Sequence, residues 1–255
     1  MRLIARAFWV PKFGATEDEY EDAFSPRSLR SEQEYDARTF RIAVADGATE
    51  ASFARQWAGQ LARAYCRAQL RATSLRTDLS PLQDRWQAGV ADLNLPWYAE
   101  EKARAGAAAA IVGLHLRDTK STRGSGVWNA VAVGDCCLFQ IRDDALLTAF
   151  PLSHSDDFTN SPFLVPSLRQ ASTGLEAHLS TVAGDWQTDD AFYLMSDAAA
   201  AWFLRGCESQ RAPWRMLRDV ETSEGPRFVD LIDDLRATDQ LRNDDVTVVR
   251  LELVG

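Results

Sequence analysis

Five aspartates are the residues of this chain best suited to chemistry, because each stands at or beside the end of an apolar, strand-like run. They are Asp22, Asp46, Asp135, Asp197 and Asp244. A carboxylate at the mouth of a β-sheet is held by a rigid backbone. Several of them converging there would form an anionic oxygen cage of the kind that Mg²⁺ or Mn²⁺ prefers. The arrangement therefore predicts a shared metal site.

The composition of the 255-residue chain is ordinary for a globular protein, with 46% hydrophobic and 25% charged residues. A chain of this length typically buries roughly 70–75% of its unfolded surface. No internal repeat or linker divides it, so we predict one domain over residues 1–255. The net charge of −9 argues against a nucleic-acid or membrane partner, because both need a basic stripe that the sequence lacks.

The cysteines and the N-terminus indicate a reducing compartment. Cys66, Cys136, Cys137 and Cys207 show no C-x-x-C spacing, and the adjacent pair would point to opposite faces of a strand. This disfavours zinc and a redox dithiol. The N-terminal apolar run is far short of the ~20 residues of a membrane span, and no small-residue cleavage site follows it. We expect a cytoplasmic protein whose first strand lies at the N-terminus.

The first half of the chain alternates between strand-like and helical patterns. Residues 39–45 place alternate apolar side chains on one face of a strand that stops at Asp46-Gly47. An amphipathic helix is predicted over about 50–70. A second helical stretch, about 79–104, is expected to break or kink near 94–96, where a proline disfavours helix in the preceding residue.

Three short apolar runs, 108–116, 127–133 and 136–142, predict three further strands. The Gly134-Asp135 dipeptide between the last two suits a type II′ turn, which has glycine at its first central position. We therefore expect these two runs to pair as an antiparallel hairpin.

The second half begins with residues 151–190, whose prolines, serines and lack of periodicity predict an irregular segment, a flap over a site. A buried strand starts at Ala191 and ends at Asp197, which could also cap the following helix. The chain closes with an alternating strand entered from Asp244 and Asp245. Strands and helices do not alternate as in a parallel sheet, so we predict an α+β sandwich of antiparallel sheets.

Five short motifs occur in an order that resembles the metal-dependent protein phosphatase 2C family in its compact bacterial form. They are E-D-A-F (21–24), V-A-D-G (44–47), A-V-G-D (132–135), M-S-D (195–197) and N-D-D-V-T-V-V (243–249). Only their joint order is specific, and it covers about 14 to 253. The resemblance implies an α-β-β-α sandwich, two antiparallel sheets with flanking helices and a two-metal centre at one edge.

The resemblance also implies a role for each matching residue. Asp46 would bridge both metals and Gly47 would ligate one through its backbone carbonyl. Asp197 would ligate the second metal, while Asp22 and Asp244 match direct or indirect ligands. The implied activity is hydrolysis of phosphoserine or phosphothreonine in a phosphoprotein by water held between two Mg²⁺ or Mn²⁺ ions, opposing a serine/threonine kinase in signalling.

Several positions depart from the family pattern. Asp135 matches a ligand of a weaker third metal, but Ala201 replaces an acidic residue that accompanies it, so we expect that metal to be weak or absent. Glu17 stands where the eukaryotic members have a phosphate-binding arginine. Ala48 replaces a histidine proposed to protonate the leaving group.

Other interpretations of these residues stay open. Taken alone, Asp135 could be a turn residue and Asp244 a solvated turn before a strand. A degenerate module with this fold could bind a phosphoprotein or kinase without turnover. A haloacid-dehalogenase-type phosphatase with Asp46 as nucleophile is disfavoured, because Ala48 occupies the place of its general acid.

Overall fold

Two antiparallel β-sheets form the centre of the protein in a computed structural model that describes residues 1–48, 53–93, 97–119, 124–220, 222, 225 and 227–255. The strands are β1 (Arg2–Val10), β2 (Ala23–Ser25), β3 (Gln33–Asp36), β4 (Thr39–Gly47), β5 (Ala108–Asp118), β6 (Ser125–Val133), β7 (Cys137–Arg142), β8 (Ala145–Phe150), β9 (Val165–Pro166), β10 (Ser180–Gln187), β11 (Ala191–Met195) and β12 (Val246–Val254). The α-helices are α1 (Ala54–Cys66), α2 (Leu75–Ala91), α3 (Trp97–Ala105), α4 (Asp197–Glu208), α5 (Pro213–Asp219) and α6 (Phe228–Ala237).

The strand orders define the sandwich. The first sheet runs β3-β1-β12-β11-β7-β8, and the second runs β10-β6-β5-β4-β2 with β9 beside β5. Side chains of both sheets meet in a central core, to which Leu3 and Val249 contribute from the first sheet and Ile42 and Val112 from the second. The predicted α+β sandwich of antiparallel sheets is confirmed.

Helices cover both outer faces. Helices α4 to α6 pack on the first sheet, where Phe203 and Leu231 join Phe139 of β7. Helices α1 and α2 pack on the second sheet, where Trp57 lies against Ala43 and Ala45 of β4. Strand β4 is thus buried on both faces: its alternate Phe40, Ile42 and Val44 face the central core, and the alanines between them leave room for α1.

The predicted hairpin between residues 127–133 and 136–142 is wrong. Strand β6 pairs with β5 and β10, whereas β7 pairs with β11 and β8 in the other sheet. Both runs are mostly apolar, so their pattern does not specify a partner strand. The chain instead crosses between the sheets at Gly134-Asp135, and Asp135 comes to lie at the edge of the sandwich.

The predicted irregular segment, 151–190, is shorter than expected. Residues 151–179 contain only short 3-10 turns and the two-residue strand β9, but β10 continues the second sheet at its edge. Most side chains of β10 are small or partly exposed, so its sequence lacks the hydrophobic alternation by which a strand is recognised. Trp186 alone is buried there.

Helix α2 and the cysteines were also predicted from the sequence. Helix α2 begins four residues earlier than predicted, and the expected break at 94–96 lies outside the described residues. Cys136 faces the central core and Cys137 the outer one, as predicted for adjacent strand residues, and all four thiols are free. In the described part of the chain, no helix has the length and apolar character needed to cross a bilayer.

Replacing Gly134 with alanine should lower the free energy of unfolding by about 2–4 kcal/mol. Gly134 has a φ of +91°, in the left-handed region, where a side chain is strained. An added Cβ would also lie 2.6 Å from the Cβ of Ala110, so a steric cost adds to the backbone strain. Gly174→Ala is the matched control, because Gly174 has a φ of +81° with no atom near its Cβ position. Urea unfolding should show a loss of about 1–2 kcal/mol for the control; equal losses would rule out the steric contact.

Candidate metal centre

Four of the five predicted aspartates line one pocket of about 440 Å³ at an edge of the sandwich. Asp46 lies near the end of β4 and Asp135 at the crossing between the sheets. Asp197 opens α4 directly after β11, and Asp244 lies two residues before β12. Gly47, also predicted, lines the same pocket. Residues more than a hundred positions apart are therefore brought together as the sequence predicted.

The fifth, Asp22, is not part of the lining of this pocket. It directly precedes Ala23, which pairs with Ala45, the residue before Asp46. The Asp22 side chain is buried, and its Oδ2 accepts a hydrogen bond from Thr247 Oγ1 at 2.7 Å. Its Oδ1 is buried without a hydrogen-bond donor in the described structure. A buried carboxylate oxygen without a donor is costly unless a proton or cation balances it.

The five carboxylates lie close enough for their charges to affect one another, so they form one electrostatic cluster. Burial holds the pKa of Asp46 well above its usual range, and the negative charges of the other four aspartates raise it further. Burial likewise raises the pKa of Asp22 to about 8 and that of Asp135 to about 7, each reinforced by Asp197. The edge of the sandwich thus concentrates negative charge on oxygen atoms, the donor type that hard divalent cations select.

One arginine partly balances this charge. Arg242 Nη2 donates to Asp244 Oδ2 at 2.8 Å and, in a very short contact, to Asp197 Oδ2. About half of the Arg242 side chain remains exposed. Within the described ranges, no three acidic, histidine or cysteine side chains are arranged to enclose an ion. Asp197 and Asp244 meet the guanidinium, so cation binding requires them to release it.

The donor set nevertheless fits divalent cations in kind. It offers carboxylate oxygens from four strand ends or loops, the unbonded Oδ1 of Asp22 and no competing sulfur or imidazole ligand in the pocket lining. Asp46, Asp197 and Asp244 are the residues that could hold an ion in the pocket.

Asp245 has a structural role that the sequence did not reveal. Its Oδ1 accepts a hydrogen bond from the backbone N–H of Lys12 at 2.8 Å, and its Oδ2 accepts one from Glu21 N–H at 2.7 Å. The loop that carries Asp22 is therefore held against the start of β12. Asp245 is more than 220 positions from both partners, so no local pattern signals the contact.

Asp197 does not cap α4 as predicted. Ser196 occupies the N-cap position, and Asp197 is the first helical residue. The Asp197 carboxylate bonds to Arg242 and to the N–H of Ala198, while Ser196 Oγ accepts from Thr247 N–H at 2.9 Å. The first turn of a helix still favours a carboxylate, because the helix dipole is positive there.

The positions that depart from the family pattern lie around the centre. Ala48 lines the pocket, so the described lining contains no histidine. Glu17 is exposed in a 3-10 turn and leaves the phosphate-binding role of an arginine unfilled at that position. Ala201 lies within α4 and offers no carboxylate for a third ion.

Comparison with known proteins supports the fold. No protein-family model and no curated relative matches the sequence. The solved PstP serine/threonine phosphatase of Mycobacterium tuberculosis has a TM-score of 0.59 at 15% identity, with 100% of both chains covered. The PstP catalytic domain in complex with two manganese ions gives 0.55 at 16%, covering 99% of this chain and 100% of that one. RsbX with magnesium gives 0.51 at 15%, covering 99% and 96%.

These comparisons define the class of fold. The chain has the phosphatase 2C-like α-β-β-α sandwich over its whole length, and the predicted resemblance is confirmed at the level of the fold. At about 15% identity the likeness concerns the fold alone.

The free energy of unfolding of the metal-free protein should fall as pH rises from 5 to 8. The pKa values of Asp22 and Asp135 in the folded protein, about 8 and 7, exceed the usual value of about 4. The folded state therefore binds more protons than the unfolded chain in this range, and stability is lost on deprotonation. The expected loss is on the order of a few kcal/mol.

Urea unfolding in EDTA at several pH values measures this dependence. Asp22→Asn should flatten the slope, because the amide does not titrate. A wild-type protein as stable at pH 8 as at pH 5 would contradict the electrostatic account of the centre.

Replacing Arg242 with alanine should tighten Mn²⁺ binding about tenfold or more, because the cation no longer has to displace charged hydrogen bonds worth about 1.5–3 kcal/mol. Titration calorimetry measures the change. Arg205→Ala is the control: it removes the same charge from an exposed arginine that donates to Gln240 O at 3.0 Å, away from the carboxylates. Equal tightening in both variants would point to net charge and not to displacement.

Proposed function

We propose that this protein is a cytoplasmic, Mg²⁺- or Mn²⁺-dependent phosphatase that hydrolyses phosphoserine or phosphothreonine in a phosphoprotein. The observation that carries the proposal is the convergence of Asp46, Asp135, Asp197 and Asp244 in one pocket, with more negative charge than Arg242 balances. The phosphatase 2C-like fold supports it, since solved structures with that fold include serine/threonine phosphatases.

Two bound divalent cations would activate a water molecule and balance charge on the phosphoryl oxygens. Asp46 would be the central ligand, because it shares one pocket with the three other aspartates that line it. Gly47, Asp197 and Asp244 would complete the ligand set at the pocket, and Asp22, beside the strand pairing that adjoins Asp46, would support it. We propose two ions, with Asp135 contributing at most to a weak third one.

The protein around the ions positions and shields the reaction. Strand β4 lies in the interior of its sheet, so Asp46 is carried by a rigid backbone. Asp244 lies two residues before β12, an interior strand of the other sheet. Residues Thr159, Asn160, Pro162 and Leu164 from the irregular segment border the pocket. They form the flap side of the site and limit its contact with water. With Ala48 in place of a histidine, the leaving alkoxide would take its proton from water or from another residue.

A second candidate is a module that has kept the fold and lost turnover, and that binds a phosphoprotein or a kinase. The observation that favours it is Arg242, whose guanidinium already bonds to two of the carboxylates. Metal stoichiometry separates the two functions: a phosphatase binds two Mn²⁺ per chain in calorimetry, and a degenerate module binds fewer.

Asp46→Asn and Asp197→Asn should each lower the rate of phosphopeptide hydrolysis at least about 100-fold, because even residues that only support metal ligands cost 10–100-fold. The wild-type activity should disappear in EDTA and return with Mn²⁺. Phosphate release measures both effects, and Asp156→Asn, an exposed surface change, is the control. Wild-type rates in both site variants, or activity indifferent to EDTA, would refute the proposal.

A further inference from the structure

A second pocket, of opposite charge, is lined in part by Asp22. Four arginines line it together with Asp22, Glu17 and several aromatic residues; they are Arg27, Arg30, Arg55 and Arg63. We call it the arginine pocket. Its cavity of about 70 Å³ exceeds the ~10–15 Å³ needed for one water molecule, so it can hold several waters or one small anion.

Two local features bring the arginines together. Arg55, Gly59 and Arg63 are spaced four residues apart on α1 and therefore share one face of the helix. Gly59 leaves space that the Arg63 guanidinium fills, since a Cβ at Gly59 would lie 3.0 Å from Arg63 Nη1. Arg27 and Arg30 come from the 3-10 turn after β2, on the opposite side of the pocket.

The positive charge of this pocket is poorly balanced. Burial and the neighbouring charges of Arg27, Arg67 and Arg85 lower the pKa of Arg63. In the described structure, neither Arg27 nor Arg63 forms an ion pair or donates a hydrogen bond to a carboxylate. Arg55 donates to the backbone carbonyl of Glu17 at 2.8 Å.

The other arginine of the pocket, Arg30, stacks over the Trp9 ring at 5.3 Å. Many arginines elsewhere pair with an acid, as Arg142 does with Asp190. In the described structure none of the four arginines forms an ion pair, although two acids line the same pocket. Four unpaired guanidinium groups in a chain of net charge −9 favour the binding of an anion.

We propose that the arginine pocket binds a second phosphoryl group of the phosphoprotein substrate, next to the one that is hydrolysed. The fork of an arginine matches tetrahedral oxyanions in two-point hydrogen bonds. The inference rests on the proposed function for the identity of the substrate, and on the pocket itself for the anion.

The position of Asp22 relates the two pockets. Asp22 lines the arginine pocket. It precedes Ala23, which pairs with Ala45 between β2 and β4, and Asp46 directly follows Ala45, so the two pockets are neighbours. None of the four arginines lines the pocket of Asp46. A group bound by these arginines is therefore beside the group under attack and distinct from it. The preferred substrate carries two phosphorylated residues close together in an otherwise flexible segment.

The first experiment tests the pocket without any catalytic activity. Inorganic phosphate is titrated by calorimetry into the full chain in EDTA, where phosphate cannot bind through metal. The wild type should bind one phosphate per chain, and the double variant Arg27→Ala/Arg63→Ala should bind it at least tenfold more weakly. The control Arg67→Ala/Arg85→Ala removes two exposed arginines outside the pocket and should bind phosphate within about twofold of the wild type.

Two outcomes overturn the pocket. The first is that the wild type binds no phosphate. The second is that the control double variant loses as much phosphate affinity as Arg27→Ala/Arg63→Ala, because the loss would then come from the lower net positive charge and not from the pocket. Arg27→Ala alone changes an exposed side chain, so its expected partial loss of affinity keeps the test valid if the double variant fails to fold. Thermal unfolding monitors folding in every variant.

The second experiment identifies the source of the anion. With Mn²⁺, hydrolysis of p-nitrophenyl phosphate is compared with that of matched peptides carrying one or two phosphoserines. Arg27→Ala/Arg63→Ala should raise KM for the doubly phosphorylated peptide at least tenfold and leave kcat, and KM for the aryl phosphate, unchanged. Equal KM increases for the singly and doubly phosphorylated peptides would overturn the second-phosphate assignment.

A failure of the phosphatase proposal can be distinguished from a failure of the arginine-pocket proposal. If the wild type hydrolyses none of the three compounds, the phosphatase proposal fails. Fluorescence anisotropy of the labelled peptides in EDTA then still tests the arginine pocket, which should bind the doubly phosphorylated peptide more tightly than the unphosphorylated one. Equal affinity for the two would refute the inference by itself.

Discussion

The concentration of buried negative charge at one edge of the sandwich is the constraint on which the rest of the structure depends. Carboxylates removed from water repel each other and must be protonated or balanced by a cation. The pKa values of Asp22, Asp46 and Asp135 are raised accordingly, which favours their protonated forms. Asp197 and Asp244 each form an ion pair with Arg242. Protons and one guanidinium therefore occupy the electrostatic role that divalent ions take in the function we propose.

A site of this kind requires a scaffold that opposes the repulsion. The three apolar layers of the sandwich supply most of the stabilisation, and the hydrogen bonds around β12 supply the positioning. Thr247 links β12 to Asp22 through its hydroxyl and to Ser196 through its N–H. Asp245 ties the loop before Asp22 to the same strand. The acidic cluster is thus held by hydrogen bonds that are buried or partly buried.

Charge of the opposite sign lies directly beside the acidic cluster. Asp22 lines the arginine pocket, and the residue after it, Ala23, pairs with Ala45, the residue before Asp46. Cations and a phosphoryl group need complementary surroundings, and neighbouring pockets of opposite sign can serve both within one binding event. Glu17 also lines the arginine pocket, beside its four arginines.

Much of this protein followed from the sequence because strand and helix patterns are local. The alternation in β4, the stripe of α1 and the order of the five acidic motifs predicted both the sandwich and the grouping of Asp46, Asp135, Asp197 and Asp244. Tertiary structure alone decided which strands pair. Strands β6 and β7 entered different sheets, and their mostly apolar sequences did not specify the partner of either strand. It also decided the contacts of Asp245, Arg242 and the four arginines, since these depend on distances between segments that no local spacing encodes.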